Sequence, residues 1–307
     1  MYNNIFRWTL GFQNTFKFQD NSTEENNNML WMTKLSIASF YKYFRTDDFY
    51  LLYNGKDFEQ FCDLFYSHSI KTDYVQIINQ HTENNPYHFT PAGVWWKWIP
   101  FRIDVNKNEI SIDTDIICLT KPLEIIEWLN NDIPILVAPE RYEKVNINTC
   151  GDFFNQPILK NKTPYNCGIV GQKKGYNFED RFFNITKLVD LGSTQNSLFI
   201  TEQGAINFWI RSLEIEGVKH QVLDFIKNAW IRDFIYYIKK DVTIETVHAV
   251  SWYKNILFQL KDLFENLVFD DEYTFKKFLI DLLKNVKKLD NNSKYIIITQ
   301  LNDMRVE

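Results

Sequence analysis

The stretch EISIDTDIICLT, from Glu109 to Thr120, decides how the rest of the chain is interpreted. Most of its residues are apolar and β-branched, which is typical of a strand in a sheet. Two carboxylates, Asp113 and Asp115, interrupt it with one residue between them. Residues i and i+2 of a strand point to the same face, so the two carboxylates are predicted to converge.

Two like charges held this close repel each other, so at least one must be protonated, solvated or bound to a cation. The apolar residues precede the pair, which places it toward the C-terminal end of the predicted strand. Ligands bind at that end of open α/β sheets. A divalent metal held by hard oxygen ligands, Mn²⁺ or Mg²⁺, accounts for the pair most simply. A solvated turn is the alternative, because D-x-D alone is a common pattern.

Strand and helix patterns alternate through the first two-thirds of the chain, which indicates an α/β fold with an open, largely parallel sheet. The predicted strands are residues 4–12, 48–55, 74–78, 109–117 and 133–140. The predicted helices are residues 29–44, 56–68, 88–104 and 120–129, with a loop at 21–28. Residues 212–290 show helical amphipathic patterns. We therefore predict a catalytic domain over 1–250 and a C-terminal helical extension over 251–307.

Composition restricts the partners. The net charge of −5 argues against a general nucleic-acid binder, which usually carries a basic surplus. The N-terminus lacks the basic and apolar regions of a signal peptide, so a cytoplasmic location is expected. No apolar run is long enough to span a bilayer. The basic run KNVKKLD at 284–290 would permit at most peripheral attachment to a membrane surface.

Further motifs accompany the D-T-D stretch in a definite order. Lys97 precedes Asp113 by sixteen residues, with Arg102 as a second basic candidate. The segment YNCGIVG begins at Tyr165 and contains Asn166, Cys167 and Gly168. The segment TEQGAINFW supplies Glu202, Gln203 and Asn207, and the segment VHAVSWYKN supplies His248 and Lys254.

This set resembles the nucleotide-sugar glycosyltransferases of the GT-A fold, and most nearly the glycogenin-like family 8 group. The resemblance covers roughly residues 5 to 255, by the order of motifs rather than by identity. The chain departs from the family pattern at Cys167, where serine is usual, and at Ser251, where glycine is expected. The resemblance implies a Rossmann-like, mostly parallel mixed sheet flanked by helices.

The resemblance also implies three groups of site residues. The metal ligands for Mn²⁺ or Mg²⁺ would be Asp113, Asp115 and His248. The residues that bind the donor would be Trp8, Thr9, Asn54, Lys97, Asp113, Gly168 and Lys254. The catalytic residues would be Glu202, Gln203 and Asn166.

The implied activity is the metal-dependent transfer of a hexose from a nucleoside-diphosphate sugar, with UDP as the expected nucleotide and with retention of configuration. A glycan, a protein or a lipid-linked molecule would be the acceptor. The aromatic stretch with Trp230, Phe234, Tyr236 and Tyr237 would pack on the catalytic domain, wall the acceptor site or make a dimer contact.

Several alternatives stay open at this level. Glu202 would act as a general base in an inverting enzyme, orient the sugar in a retaining one, or only stabilise a helix start capped by Thr201. His248 would be a metal ligand, or else a surface or capping histidine. A nucleotidyltransferase also uses paired carboxylates, although the first strand lacks the glycine-rich loop it needs. A non-catalytic protein that binds sugar nucleotides or carbohydrates on a degenerate GT-A fold is the remaining possibility.

Overall fold

A computed structural model describes most of the chain. The described residues are 4–10, 24–55, 57–82, 84–87, 93–189, 198–230, 243–249 and 254–285. The strands β1 to β10 are Ile5–Leu10, Asp48–Tyr53, Val75–Asn79, Glu109–Ile112, Ile116–Cys118, Ile135–Pro139, Tyr165–Gln172, His220–Val222, Asn228–Trp230 and Thr246–His248. The helices α1 to α9 are Glu24–Tyr41, Phe58–Ser67, Leu123–Asn130, Ile147–Cys150, Glu179–Thr186, Leu198–Ile215, Lys254–Gln259, Lys261–Phe269 and Phe275–Asn285.

The central sheet has seven strands in the order β3-β2-β1-β4-β7-β6-β8. Every pairing in it is parallel except those that β7 makes with β4 and β6. Six strands therefore run in one direction and β7 runs against them. The C-terminal ends of β1, β4 and β6 and the beginning of β7 consequently lie along one edge of the sheet, which confirms the predicted mixed, mostly parallel α/β fold.

Apolar side chains cover both faces of this sheet. Alternate residues of β1, Phe6 and Trp8 among them, pack with α1, α2 and α3 on one face. The other face packs against α5, α6 and a 3₁₀ turn at Gly93–Trp98. Burial on two faces explains why the strands contain so few polar residues.

A second, three-stranded sheet has the order β5-β10-β9 and carries the C-terminal helices. Its apolar residues share a core with α7, α8, α9 and one side of α1. Trp31 on α1 donates its indole N–H to Glu265 Oε1 on α8 at 2.6 Å. The predicted domain boundary at residue 250 lies outside the described residues and stays a prediction. None of the described helices has the length and apolar character needed to cross a bilayer.

Several sequence-based boundaries are wrong. Helix α1 begins at Glu24, so the polar residues 24–28 form its first turns and not a loop. Residues 93–98 form a 3₁₀ turn where a longer helix was expected. Among the described residues between 212 and 285, three short strands occur with the helices, because they complete the two sheets.

The aromatic stretch after α6 is only partly described. Trp230 belongs to β9 and not to a helix. Phe234, Tyr236 and Tyr237 lie outside the described residues.

Candidate functional site

The two carboxylates of the D-x-D motif lie at a turn and not along a strand. Strand β4 ends at Ile112, and the Ile116 amide donates to the Asp113 carbonyl at 3.2 Å before β5 begins. The predicted single strand over 109–117 is therefore wrong, because β4 and β5 belong to different sheets and the chain must turn between them. The turn still places both carboxylates at the C-terminal edge of the central sheet.

A histidine from the second sheet meets these carboxylates. Strand β10 pairs antiparallel with β5 and sets His248 opposite Ile116. His248 Nε2 lies 3.1 Å from Asp115 Oδ1 and 3.9 Å from Asp113 Oδ2. One nitrogen or oxygen atom from each of the three side chains lies within 4.8 Å of the other two. The structure thus brings together the three residues predicted as metal ligands.

Two lysines contact the cluster, each at a different carboxylate. Lys97 Nζ lies 2.5 Å from Asp113 Oδ1, and Lys254 Nζ lies 3.0 Å from Asp115 Oδ2. Burial opposes charge on Lys97, but Asp113, Cys167 and Glu202 together outweigh this effect and raise the pKa of the lysine. Burial would raise the pKa of Asp115, yet Lys254 and His248 together lower it. The acidic and basic groups of the site therefore stabilise each other's charged forms.

Buried polar groups contact the ammonium of Lys97 and hold it in place. Its ammonium donates to the Cys167 carbonyl at 3.1 Å and lies 3.8 Å from Glu202 Oε1. Glu202, only 1% exposed, accepts from the Trp98 indole at 2.6 Å and from the Cys167 thiol at 2.8 Å. Burial raises the pKa of Glu202, although Lys97 counteracts this. Glu202 is thus buried next to Lys97 and is not on the surface of the cleft.

The position of Glu202 on α6 overturns one alternative. The helix begins at Leu198, so Thr201 lies in its first turn and is not the residue that caps it. The Thr201 hydroxyl instead contacts Asp152 Oδ2 at 3.4 Å. Glu202 therefore bonds to groups outside the helix and does not serve as its opening carboxylate.

A third carboxylate, which the sequence analysis missed, joins the two predicted amides. Glu140 Oε2 accepts from Asn166 Nδ2 at 3.2 Å and from Gln203 Nε2 at 2.9 Å. Glu140 follows directly after β6, and Asn166 is the second residue of β7, so both stand on the same sheet edge as Asp113. The signal was available in the segment IPILVAPE, where a carboxylate ends a predicted strand that is otherwise apolar.

Gly168 provides the space in which this arrangement fits. A Cβ atom at residue 168 would lie 2.8 Å from both Asn166 Oδ1 and His248 Cε1. The Gly168 carbonyl accepts from the Asp113 amide at 2.8 Å, and its amide donates to Asn166 Oδ1 at 2.8 Å. Gly168 thus joins the metal-ligand cluster to the amide cluster through its backbone, which explains why a side chain is absent there.

A cavity of about 260 Å³ opens beside the cluster. Its lining is Thr9, Leu10, Met29, Gly93, Val94, Lys97, Asp113, Thr114, Asp115 and Lys254. Among the predicted donor-binding residues, Thr9, Lys97, Asp113 and Lys254 belong to it. The Thr9 hydroxyl is buried and has no hydrogen-bond partner within the described part of the chain.

Other predicted donor-binding residues lie elsewhere. Trp8 is fully buried, packs on Phe40 and Phe49, and donates its indole N–H to Ser36. Strand alternation explains this difference, since neighbouring Thr9 must point to the opposite face. Asn54, at the end of β2, is 6% exposed and does not line the cavity.

Arg102 is also placed away from the site. Its guanidinium lies 3.7 Å from Glu109 and donates to the carbonyls of Lys173 and Tyr176 at 2.8 Å. Glu109 begins β4, at the end of that strand opposite to Asp113. Arg102 therefore cannot substitute for Lys97 as the basic residue of the site.

Comparison with known proteins identifies the fold. No protein-family profile matches the sequence, and no curated protein matches it. Among solved structures, the apo WbbM bifunctional glycosyltransferase aligns with a TM-score of 0.56 and 10% identity over 92% of this chain and 51% of that one. Glycosyltransferase GlyE of Streptococcus pneumoniae aligns with a TM-score of 0.49 and 12% identity over 93% of this chain and 64% of that one. Mouse xyloside xylosyltransferase 1 aligns with a TM-score of 0.47 and 12% identity over 80% of this chain and 97% of that one.

The chain spans about half the length of the WbbM chain and less than two-thirds of the GlyE chain. At this level of identity the likeness to WbbM concerns the fold alone. It agrees with the seven-stranded mixed sheet and its flanking helices. The protein therefore has the GT-A fold of glycosyltransferases.

Proposed function

We propose that this protein is a metal-dependent glycosyltransferase that transfers a hexose from a nucleoside-diphosphate sugar, with UDP as the nucleotide and retention of configuration. The observation that carries the proposal is the cluster of Asp113, Asp115 and His248, whose ligand atoms lie within 4.8 Å of one another at the ligand-binding edge of a GT-A sheet.

The cluster has the chemistry of a divalent metal site. Two carboxylates supply hard oxygen ligands, and a neutral imidazole is compatible with Mn²⁺ more than with Mg²⁺. Asp113, Asp115 and His248 would hold the ion, and positions left open would be available to a diphosphate. When bound, the metal would supply Lewis-acid stabilisation of negative charge on the departing diphosphate.

The flanking lysines support a diphosphate in the same place. Lys97 and Lys254 both line the cavity, and each holds an ammonium against one carboxylate of the cluster. Ammonium groups make strong charge-assisted hydrogen bonds to phosphate oxygens. We propose that both lysines bind the diphosphate, with Lys97 kept in position by Glu202 and the Cys167 carbonyl.

The remaining contacts fit the two ends of a sugar nucleotide. Thr9 and the apolar residues Leu10, Met29 and Val94 line the cavity, where they would contact the nucleobase. Asn166 and Gln203 lie across Gly168 from the metal cluster, where they would contact the sugar. Glu202 is a positioning residue in this proposal and not a general base, because its carboxylate is buried.

Donor hydrolysis tests the proposal directly. Purified protein would be incubated with UDP-glucose and UDP-galactose, with Mn²⁺ or with EDTA, and released UDP would be measured. We expect hydrolysis that needs Mn²⁺ and is lost in Asp115→Ala. Release of pyrophosphate from a nucleoside triphosphate would favour a nucleotidyltransferase, and EDTA-insensitive sugar binding without turnover would favour a non-catalytic binding protein. Either result would contradict the proposed activity.

A further inference from the structure

The amide groups of Asn166 and Gln203 have their orientations set by backbone groups. The Gly168 amide can only donate, so it identifies the atom that faces it at 2.8 Å as the Asn166 oxygen. The Thr149 carbonyl can only accept, so the atom 2.9 Å from it is the Gln203 nitrogen. Each amide therefore has one defined end.

Glu140 uses the amide hydrogens that these contacts leave over. Asn166 Nδ2 has two hydrogens, and its partners are Gln203 Oε1 at 3.3 Å and Glu140 Oε2 at 3.2 Å. Gln203 Nε2 also has two, and its partners are the Thr149 carbonyl and Glu140 Oε2, both at 2.9 Å. All four amide hydrogens are thus bonded within the protein. The atoms that keep lone pairs for a ligand are oxygens of Asn166, Gln203 and Glu140.

This acceptor-only cluster lies beside the proposed metal site. Asn166 Oδ1 and His248 Cε1 are each 2.8 Å from the same point, the position of a Cβ at residue 168, so they lie less than about 6 Å apart. A sugar joined to a diphosphate at the metal site would therefore reach Asn166. Gln203 is partly exposed, and Glu140 keeps 9% of its surface exposed.

We propose that Glu140 is a positioning residue that takes up the last free N–H of each amide, so that this wall of the site offers no hydrogen-bond donor and selects a neutral, hydroxyl-bearing sugar over one with a carboxylate. This inference rests on the proposed function. Sugar hydroxyls donate to oxygen acceptors, whereas a hexuronate carboxylate only accepts. Such a carboxylate would face lone pairs and the negative charge of Glu140, so it would be rejected by unpaired acceptors and by repulsion.

Matched pairs of ligands test this selection. UDP-glucose and UDP-glucuronate, and UDP-galactose and UDP-galacturonate, differ only at carbon 6 of the sugar. Their dissociation constants would be measured by calorimetry with Mn²⁺, beside those of UDP alone. We expect the wild-type protein to prefer the hexose to its hexuronate by about tenfold or more in at least one pair.

Variants of Glu140 separate this role from a merely structural one. Glu140→Ala frees one N–H on each amide and removes the charge, so it should lower the preference by about tenfold through tighter hexuronate binding. Glu140→Gln loses the charge but keeps one acceptor, so its preference should lie between those of the wild type and Glu140→Ala. Glu140→Asp should retain part of the wild-type preference. Exposed Glu143, on the same loop, gives the control Glu143→Ala, which removes equal charge and should leave the preference unchanged. Affinity for UDP alone shows whether each variant is folded.

Binding of UDP-sugars to the wild-type protein separates failure of this inference from failure of the proposed function. If no UDP-sugar binds the wild-type protein, the proposed function fails and this inference fails with it. If hexoses bind, but hexuronates bind equally well in both pairs, the inference alone is overturned. It is also overturned if Glu140→Ala or Glu140→Gln binds UDP normally and keeps the full wild-type preference.

Discussion

The ammonium group of Lys254 lies 3.0 Å from Oδ2 of Asp115, where it neutralises a carboxylate that a metal ion would also contact. The pair is mostly buried, and Asp115 raises the pKa of Lys254 above its ordinary value. A metal that binds Asp115 must therefore compete with this ammonium, while a diphosphate would give the ammonium a new anionic partner.

Replacing Lys254 should have opposite effects on two ligands. In Lys254→Met, Mn²⁺ without nucleotide should bind a few-fold more tightly, because it no longer competes with the ammonium. UDP in the presence of Mn²⁺ should bind about tenfold more weakly, because a charge-assisted contact to phosphate is lost. Calorimetry would measure both constants. Lys107→Met is the control, since Lys107 pairs with Asp48 at 2.6 Å, near the opposite end of the sheet. Changes of the same sign for both ligands would contradict this account.

A methyl group at residue 168 should disrupt the site with little effect on the fold. In Gly168→Ala the new Cβ would press on Asn166 Oδ1 and His248 Cε1, each 2.8 Å away. Because both must shift, we expect the affinity for Mn²⁺ to fall about tenfold.

Gly175→Ala provides the matched comparison for this variant. Gly175 has a φ of +80° and no neighbouring atom within 4 Å of a new Cβ. Urea denaturation should therefore show that Gly175→Ala lowers the free energy of unfolding by about 1 kcal/mol through backbone strain, and Mn²⁺ binding should be unchanged. Equal effects of the two substitutions on Mn²⁺ affinity would show that Gly168 has no special spatial role.

Lys97 and Glu202 should be coupled in stability. Lys97→Met leaves the buried Glu202 carboxylate without its nearby cation, so we expect a loss of about 3 kcal/mol in the free energy of unfolding. Adding Glu202→Gln removes the unpaired charge and should return at least about 1 kcal/mol of that loss. Urea denaturation of the wild type, both single variants and the double variant measures the coupling. Strictly additive effects would contradict the assigned contact.

His68 should make the fold sensitive to acid. Burial, with Lys34 and Lys261 nearby, lowers the pKa of His68 from 6.5 to about 4, and His68 Nδ1 accepts from the Ile70 amide at 3.2 Å. The unfolded chain therefore takes up a proton near pH 6.5 before the folded one does, and stability falls as the pH drops below 6.5. Between pH 7 and pH 5 this loss should be about 1 kcal/mol, allowing for solvent screening at a half-buried ring.

His68→Asn should remove this acid sensitivity. An asparagine oxygen can accept the same amide hydrogen, but it does not titrate. Urea denaturation at pH 7 and pH 5 should show a smaller difference for the variant than for the wild type. An unchanged difference would show that other groups cause the acid effect.

The convergence of Asp113 and Asp115 was predicted from strand alternation, yet a turn between two sheets produces it. The local sequence pattern predicted that polar residues interrupt the apolar segment 109–120, which is correct. The sequence does not indicate that the chain changes sheets at that point, because β5 pairs with β10 about 130 residues further on. Pairings between distant segments are set by the packed fold and not by local propensity.

Glu140 and Trp8 also show that local sequence does not determine where a side chain lies in the packed fold. Glu140 was missed because its importance depends on β7 running antiparallel between β4 and β6, which brings Asn166 to the edge where β6 ends. Trp8 was expected at the donor, but alternation along β1 turns it into the core and leaves neighbouring Thr9 at the cavity. Spacing along a strand predicts which residues share a face, but not which face meets the cleft.

The central claim is that Asp113, Asp115 and His248 hold one divalent metal ion, and binding of Mn²⁺ tests it most directly. Electron paramagnetic resonance of free Mn²⁺, titrated with protein and UDP, would give the stoichiometry and the affinity. We expect one ion for each chain, bound at least about tenfold more weakly by Asp115→Asn and by His248→Ala. Wild-type affinity in both variants, or no bound Mn²⁺ in the wild type, would contradict the account.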